Sequence, residues 1–215
     1  MNKSGLLDFS QNETYRLVGI IHRMNKSAQH RKKDPIKLQV ELLKAARIIA
    51  GREGISSLSL NAVAREAGVS KGGLMHHFPS KQELIHALFL QLLEIMDERI
   101  SIIMENDKNA YGRFSRAYLH YIGELKESDE SFQLALLSLA MPTEPVLRQC
   151  WRDWVTNHLA KGDEFDNSYL GALVRYAADG LWLSSLTEGE TLLQQERAAI
   201  VSRLAQISFE KLPEE

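Results

Sequence analysis

The chain has 215 residues, 44% hydrophobic and 25% charged, a composition that supports a core for one large or two small domains. The single cysteine, Cys150, excludes an internal disulfide and fits a reducing cytoplasm, which is the predicted location. No run of about 18 apolar residues predicts a membrane-spanning helix, and no group of cysteines and histidines has zinc-site spacing.

The net charge of −2 hides an asymmetry between the two ends of the chain. Residues 1–89 carry 14 Lys and Arg against 7 Asp and Glu, whereas residues 90–215 carry 12 against 21. A basic N-terminal part on an acidic body predicts that one end binds a polyanion. Chance can also produce such a division of charge, so the charge alone does not establish a polyanionic partner.

Residues 1–34 predict a flexible basic N-terminal tail. Between residues 22 and 37 the chain carries eight His, Lys and Arg residues and one acid, Asp34. One interpretation is an arm that contacts DNA phosphates or the minor groove. The other is a solvated, disordered tail.

A first helix is predicted to begin at Pro35 and to end at Gly51 or Gly54. Asp34 is a suitable N-cap, and proline is favoured at the first helical position. The apolar residues follow a helical period; they are Ile36, Val40, Leu43, Ala46, Ile49 and Ala50.

Two short helices and a tight turn follow. The first is predicted from Leu60 to Ala67, with Ser59 as its N-cap and Gly68 at the turn, where positive φ is common. The second is predicted from Lys71 to Phe78. It is capped by Ser70, turns Leu74 and Phe78 inward, and is stopped by Pro79.

The other face of this second helix carries Gly72, Gly73, His76 and His77, which no core requires. Each glycine costs a helix about 1 kcal/mol relative to alanine. One interpretation is that the glycines let the backbone approach a DNA groove. The alternative is that one of them relieves a clash with the neighbouring helix.

Two short helices joined by a glycine-containing turn form the helix-turn-helix pattern, whose second helix lies in the DNA major groove. The stretch resembles the tetracycline-repressor (TetR) family, over roughly Pro35 to Phe89. The residues that carry the resemblance are Val63-Ala64, Ala67-Gly68-Val69-Ser70, Lys71-Gly72, Leu74, His76, Phe78, Ser80-Lys81 and Leu84.

The resemblance implies an all-α fold with a three-helix DNA-binding domain at residues 35–82 and a helical regulatory domain at residues 83–215. It also implies roles for individual residues. The residues expected to hold phosphates are Ser59, Ser70, His77 and Lys81. The residues expected to approach or read bases are Lys71, Gly72, Gly73 and, as a further candidate, His76. Glycine at position 73 and methionine at position 75, where the family often has threonine and tyrosine, alter the expected base readout.

The rest of the chain predicts further helices and no strand, nine or ten helices in all. A capping box beginning at Ser80 starts a long helix to about Glu105, which in the family links the two domains and sets the separation of the DNA-binding domains. The later helices are predicted at Tyr111–Lys126, Phe132–Met141, Val146–Leu159, Tyr169–Leu186 and Leu192–Leu212.

The resemblance implies an effector pocket between the middle helices. The candidate lining is aromatic or soft with one acid: Phe114, Tyr118, Met141, Trp151, Trp154, Asp179 and Trp182. Aromatics with a carboxylate suit a lipophilic cation, and such an effector would point to control of an efflux pump. The alternatives are core packing for each aromatic and a capping or dimer-interface hydrogen bond for Asp179.

Three other functions compete with a cation-responsive repressor. A sensor of a metabolic acid or acyl thioester is the first, but Arg and Lys are nearly absent around the aromatic helices. A DNA-binding regulator controlled by a protein partner is the second. A helical enzyme is the third, and no catalytic constellation supports it. No cofactor and no metal site are predicted, since adjacent histidines such as His76 and His77 point about 100° apart on a helix.

The last two helices are apolar on more than one face and therefore must bury two sides. The residues concerned are Leu170, Leu173, Val174, Ala177, Leu181 and Leu186. They predict a homodimer through a four-helix bundle. Such a dimer would place its two DNA-binding domains about 34 Å apart on a palindromic operator.

Overall fold

The structure, a computed structural model, describes residues 35–125, 140–187 and 194–210. These residues form eight α-helices, one short 3-10 helix at Ile55–Ser57 and no strand, which confirms the all-α prediction. The helices are α1 (Pro35–Glu53), α2 (Leu60–Glu66), α3 (Lys71–Met75), α4 (Lys81–Asn106), α5 (Arg113–Glu124), α6 (Pro145–Leu159), α7 (Tyr169–Thr187) and α8 (Gln194–Ile207).

Two sequence predictions fall on residues outside the described ranges. They are the basic tail at residues 1–34 and all but the end of the predicted helix Phe132–Met141. None of the helices in the described ranges is long and apolar enough to cross a membrane.

The chain divides into two compact units, at residues 1–91 and 92–215, and α4 contributes residues to both. In the first unit, α1 buries the predicted stripe from Val40 to Ala50. The short elements add Leu58, Val63, Leu74 and Phe78 to this core. Leu60, at the start of α2, is only half-buried.

In the second unit, α4 buries one continuous side. The buried stripe runs from Leu92 through Leu93, Met96 and Ile100, whereas Ile102 is 49% exposed. Spacings of three and four residues join these buried positions, so they lie on one side of the helix.

Helix α5 begins two residues later than predicted because Gly112 adopts φ +67°, a left-handed conformation. The loop at residues 161–167 holds this start of the helix. The N–H of Gly112 donates to Asp163 Oδ2 at 2.7 Å, and the N–H of Ser115 donates to Asp166 Oδ1 at 2.9 Å. Carboxylates at a helix N-terminus satisfy amides that lack intrahelical partners.

Arg116 of α5 is buried, with only 4% of its surface exposed, and its guanidinium is paired and hydrogen-bonded. Its guanidinium donates to the Asp107 carboxylate at 2.7 Å and to Ser208 Oγ at 2.8 Å. It also lies 4.4 Å from the centroid of the Phe209 ring. A buried charge paired and hydrogen-bonded in this way ties the segment between α4 and α5 to the end of α8.

Gly171 of α7 packs closely against the backbone of the loop before the helix, so a larger residue there is expected to destabilise the protein. A Cβ added there would lie 2.3 Å from the carbonyl oxygen of Phe165, so the backbone would have to move. We expect Gly171→Ala to lower the free energy of unfolding by about 1–3 kcal/mol, as overpacking does. Chemical denaturation followed by circular dichroism measures this. Gly72→Ala is the matched control, because a Cβ at Gly72 meets open space; equal stability of both variants would contradict the prediction.

Candidate functional sites

The helix-turn-helix pair forms as predicted, with one difference in length. Gly68 takes φ +67° between α2 and α3. Helix α3 ends at Met75 and not at Phe78. The N–H groups of His77 and Phe78 both donate to the Leu74 carbonyl at 2.9 Å, which closes a turn in place of a further helical turn. Pro79 favours this ending, since the residue before a proline resists helical angles.

Both of the serines that are predicted to bind phosphates act as helix caps. Ser59 Oγ accepts from the N–H of Ala62, and Ser70 Oγ accepts from the N–H of Gly73, both at 3.1 Å. Both serines are exposed. A hydroxyl that accepts from the backbone keeps its own proton to donate, so capping and phosphate binding are compatible.

The face of α3 that points away from the core is open. Lys71, Gly72 and His76 are exposed, and Gly73 is half-buried. A Cβ at Gly72 would have no heavy atom within 4 Å, and one at Gly73 would meet only the Ser70 hydroxyl, at 3.3 Å. Neither glycine therefore relieves a clash with a neighbouring helix in the described part of the chain. This face leaves the backbone of α3 accessible to a groove.

His77 and Lys81 lie at the edge of this face and are half-buried. Burial, together with the neighbouring charge of His76, lowers the pKa of His77. Lys81 Nζ donates to the Ser56 carbonyl at 3.0 Å, which holds the start of α4 beside the 3-10 helix. Both side chains remain within reach of a ligand at the surface, and neither is sealed in the core.

In the second unit, an aromatic cluster brings α5 and α6 together. Phe114 and Tyr118 of α5 are buried, and Trp151 and Trp154 of α6 are half-buried. The ring centroids lie 5.3 Å apart for Trp151 and Trp154, 6.0 Å for Phe114 and Trp154, and 6.5 Å for Tyr118 and Trp151. Four of the seven predicted effector residues therefore share one cluster.

Asp179 of α7 is joined to this cluster through Tyr118, whose hydroxyl donates to Asp179 Oδ1 in a short contact. Burial raises the pKa of Asp179, while the hydrogen bond from Tyr118 opposes that rise. Burial and the Asp179 charge raise the pKa of Tyr118 well above its ordinary value, so the phenol stays protonated as a donor. The pair thus presents a carboxylate held beside aromatic rings.

The two remaining predicted residues lie on neighbouring elements, and both are half-buried. Met141 lies in the turn before α6, where its carbonyl accepts from Arg148 Nη1 at 2.9 Å. Trp182 lies on α7 three residues after Asp179, with its indole nitrogen buried.

Arg175 corrects the expectation that basic residues are nearly absent around the aromatic helices. It precedes Asp179 by one helical turn and is only 8% exposed. Its guanidinium donates to Ser115 Oγ at 2.7 Å and lies 6.0 Å from the Phe114 centroid. The spacing of four between Arg175 and Asp179 is the sequence signal that could have found it.

His158 is a second residue that the sequence interpretation missed. Its imidazole stacks on Phe114, with centroids 4.6 Å apart and planes 4° apart, and it lies 4.4 Å from Trp154. Its Nε2 donates to Asp97 Oδ1 of α4 at 2.6 Å. The spacing of Trp151, Trp154 and His158 at three and four residues places all three on one side of α6.

No group of three metal-ligating side chains occurs among the residues that the structure describes.

One hydrogen-bond donor near the aromatic cluster has no acceptor among the described residues. The indole Nε1 of Trp154 is buried without a hydrogen bond to any described residue. A buried donor of this kind is costly unless another group accepts from it.

Comparisons with known proteins agree with this division. The family model described as "Bacterial regulatory proteins, tetR family" matches residues 42–88, and "Tetracyclin repressor-like, C-terminal domain" matches residues 112–208. The transcriptional repressor KstR2 of Mycobacterium tuberculosis is 23% identical over 155 residues, which are 67% of this chain and 78% of KstR2.

Two solved structures share the fold. A transcriptional regulator from Rhodococcus sp. Rha1 aligns with a TM-score of 0.66 at 21% identity, covering 81% of this chain and 95% of that one. The multidrug binding protein EbrR in complex with ethidium aligns with a TM-score of 0.61 at 23% identity, covering 80% and 99%. The chain therefore belongs to the TetR family and is a DNA-binding transcriptional regulator.

Proposed function

We propose that this protein is a cytoplasmic homodimer that represses transcription from a palindromic operator and is released by a lipophilic cation. The observation that carries the proposal is the Asp179 carboxylate held against the cluster of Phe114, Tyr118, Trp151 and Trp154. A gene for an efflux pump is the target that such an effector suggests.

The DNA-binding part of the proposal uses the open face of α3. Lys71, His76 and the backbone at Gly72 and Gly73 approach the bases. Ser59, Ser70, His77 and Lys81 bind the flanking phosphates. Contacts to phosphates fix the register of the protein on the duplex, and contacts to base edges provide sequence specificity.

The effector part rests on charge and ring geometry. A cation over an aromatic face gains about 0.5–2 kcal/mol, more when water is excluded. Asp179 adds a counter-charge beside the rings. The aromatic and partly buried lining also favours a ligand that is itself lipophilic. EbrR, which shares the fold, has been solved with ethidium, a flat organic cation.

Asp179→Asn provides the direct test of this proposal. The variant keeps the size of the side chain and removes its charge. We expect affinity for ethidium to fall roughly 10- to 100-fold, because interactions with a charged group are typically worth about 1.5–3 kcal/mol. Quenching of tryptophan fluorescence in the absence of DNA measures the dissociation constant. Asp153→Asn, an exposed carboxylate on α6, is the control.

A metabolic acid or acyl thioester is the second candidate effector, and a specific observation favours it. Arg175 is buried beside Phe114, and the Trp154 indole N–H has no partner among the described residues. An anionic ligand could use both groups. Asp179→Asn would then strengthen binding of a fatty acid, since a repelling carboxylate is removed. Tight binding of the acid and none of the cation would contradict the first candidate.

The dimer is proposed to form through α7 and α8. An exposed stripe on α7 consists of Tyr169, Leu173, Tyr176, Gly180 and Leu183. Spacings of four and three residues are those of a helix that packs against another helix. If no small molecule binds the dimer, control by a protein partner becomes the remaining hypothesis.

A further inference from the structure

We propose that the hydrogen bond between His158 and Asp97 couples the effector site to the helix that leads to the DNA-binding unit, so that breaking it leaves a repressor that binds its effector but is not released. The proposal rests on the function proposed above for the aromatic cluster. It assigns a positioning role to both residues. Neither is proposed to contact DNA, and Asp97 is not proposed to contact the effector.

His158 has contacts of two different kinds. One face of its ring stacks on Phe114 with the planes only 4° apart, and its edge lies near Trp154. Its Nε2 donates to Asp97 at 2.6 Å. Because a carboxylate oxygen only accepts, the proton of this bond belongs to Nε2. The imidazole is therefore part of the aromatic cluster and is also hydrogen-bonded to α4.

The position of Asp97 on α4 gives this bond its consequence. Helix α4 is continuous from Lys81 to Asn106, so Asp97 and Lys81 are joined by about 24 Å of unbroken helix at 1.5 Å per residue. Lys81 itself contacts the Ser56 carbonyl in the first unit. In the proposed coupling, a displacement of Asp97 is passed along this continuous helix to Lys81, which is proposed to hold a DNA phosphate.

The surroundings of the bond are asymmetric. The His158 side chain is 15% exposed, whereas that of Asp97 is 49% exposed. The histidine is therefore fixed by the rings on which it packs, whereas the aspartate lies at the surface, where it accepts the hydrogen bond from His158. A lipophilic cation that places an aromatic group against Phe114 or Trp154 competes with the imidazole for the same ring faces, and His158 has to move with its bond to α4.

Two substitutions separate the two kinds of contact. His158→Phe keeps an aromatic ring for stacking and removes the donor to Asp97. Asp97→Ala removes the acceptor and leaves the cluster untouched. If the bond transmits the signal, the two single variants and the double variant have the same defect, because each breaks the same interaction. Asp153→Ala is the matched control, since Asp153 lies on α6 and accepts a hydrogen bond from Gln149 on the same helix.

The experiment measures the dissociation constant for operator DNA with and without tetraphenylphosphonium, a lipophilic cation that does not intercalate as ethidium does. The operator is a duplex selected by the wild type from a random pool. The ratio of the two constants is the release factor, expected on the order of 5- to 150-fold for the wild type and the control. In His158→Phe, Asp97→Ala and the double variant we expect this factor to fall to near unity. In Asp97→Ala, whose changed residue lies outside the aromatic cluster, tetraphenylphosphonium still quenches tryptophan fluorescence with the wild-type dissociation constant.

Thermal unfolding confirms that each variant is folded, and Asp97→Ala alone is sufficient for the test. If the wild type does not bind tetraphenylphosphonium, the proposed function fails and this inference fails with it. If the wild type binds and is released, and the variants are released equally, the coupling role of His158 and Asp97 is wrong while the proposed function stands. Loss of release in Asp153→Ala as well would also overturn it.

Discussion

Gly72→Leu is expected to abolish specific operator binding while leaving the protein at least as stable as the wild type. A Cβ at this position meets no heavy atom within 4 Å, so the isolated protein accommodates the side chain. Replacing a glycine inside a helix also raises the free energy of unfolding, by up to about 1 kcal/mol. The glycine at position 72 is therefore not explained by folding.

A DNA groove supplies the explanation that folding does not. If the exposed face of α3 lies in the major groove, a leucine at position 72 occupies the space between helix and bases. Specific binding typically exceeds non-specific binding by about 10³-fold or more, and that advantage would be lost. Fluorescence anisotropy on a duplex selected by the wild type, at one fixed salt concentration, measures the loss.

Gly72→Ala is the control for this prediction, because it gives the same gain in helix stability with one methyl group. We expect the alanine variant to bind the selected duplex far more tightly than the leucine variant. A leucine variant that is folded and retains wild-type affinity would show that this face of α3 does not enter the groove.

The DNA-binding unit could be predicted closely because its boundaries depend on local signals. Ser59 and Ser70 cap the two short helices, Gly68 turns the chain between them, and Pro79 ends the second. Each acts within three or four residues of its own position. Only the length of α3 was wrong, since a turn on the Leu74 carbonyl competed with a further helical turn.

The proposed effector site could be predicted only in part because its contacts span long stretches of sequence. Residue type alone selected Phe114, Trp154 and Asp179. The bond between His158 and Asp97 joins residues 61 apart, and that between Arg175 and Ser115 joins residues 60 apart. No helical period or cap encodes such a pairing. It depends on how α4, α5, α6 and α7 pack, which periodicity does not determine.

Dimerisation is the other property on which a large effect is expected, and the proposed interface lies on α7. Its exposed stripe contains Leu173 at 48% exposure and Tyr176 at 72%, with a glycine between the last two large residues of the stripe. Exposing a row of apolar side chains to water along a whole helix is unfavourable. The same stripe on a second chain would cover them, and Gly180, with open space around it, lets two helices approach closely.

We therefore expect the double variant Leu173→Glu/Tyr176→Glu to sediment as a single 24.4 kDa chain, whereas the wild type sediments as a dimer. Two linked DNA-binding domains bind a palindrome about 10²- to 10⁴-fold more tightly than one, and the variant should lose that factor. Binding to a duplex with one half-site should be unchanged, which distinguishes loss of the dimer from loss of the fold. Val146→Glu, at another exposed apolar position on α6, is the control. A double variant that still sediments as a dimer would place the interface elsewhere on the molecule, and the spacing of the two DNA-binding domains would then have to come from other helices.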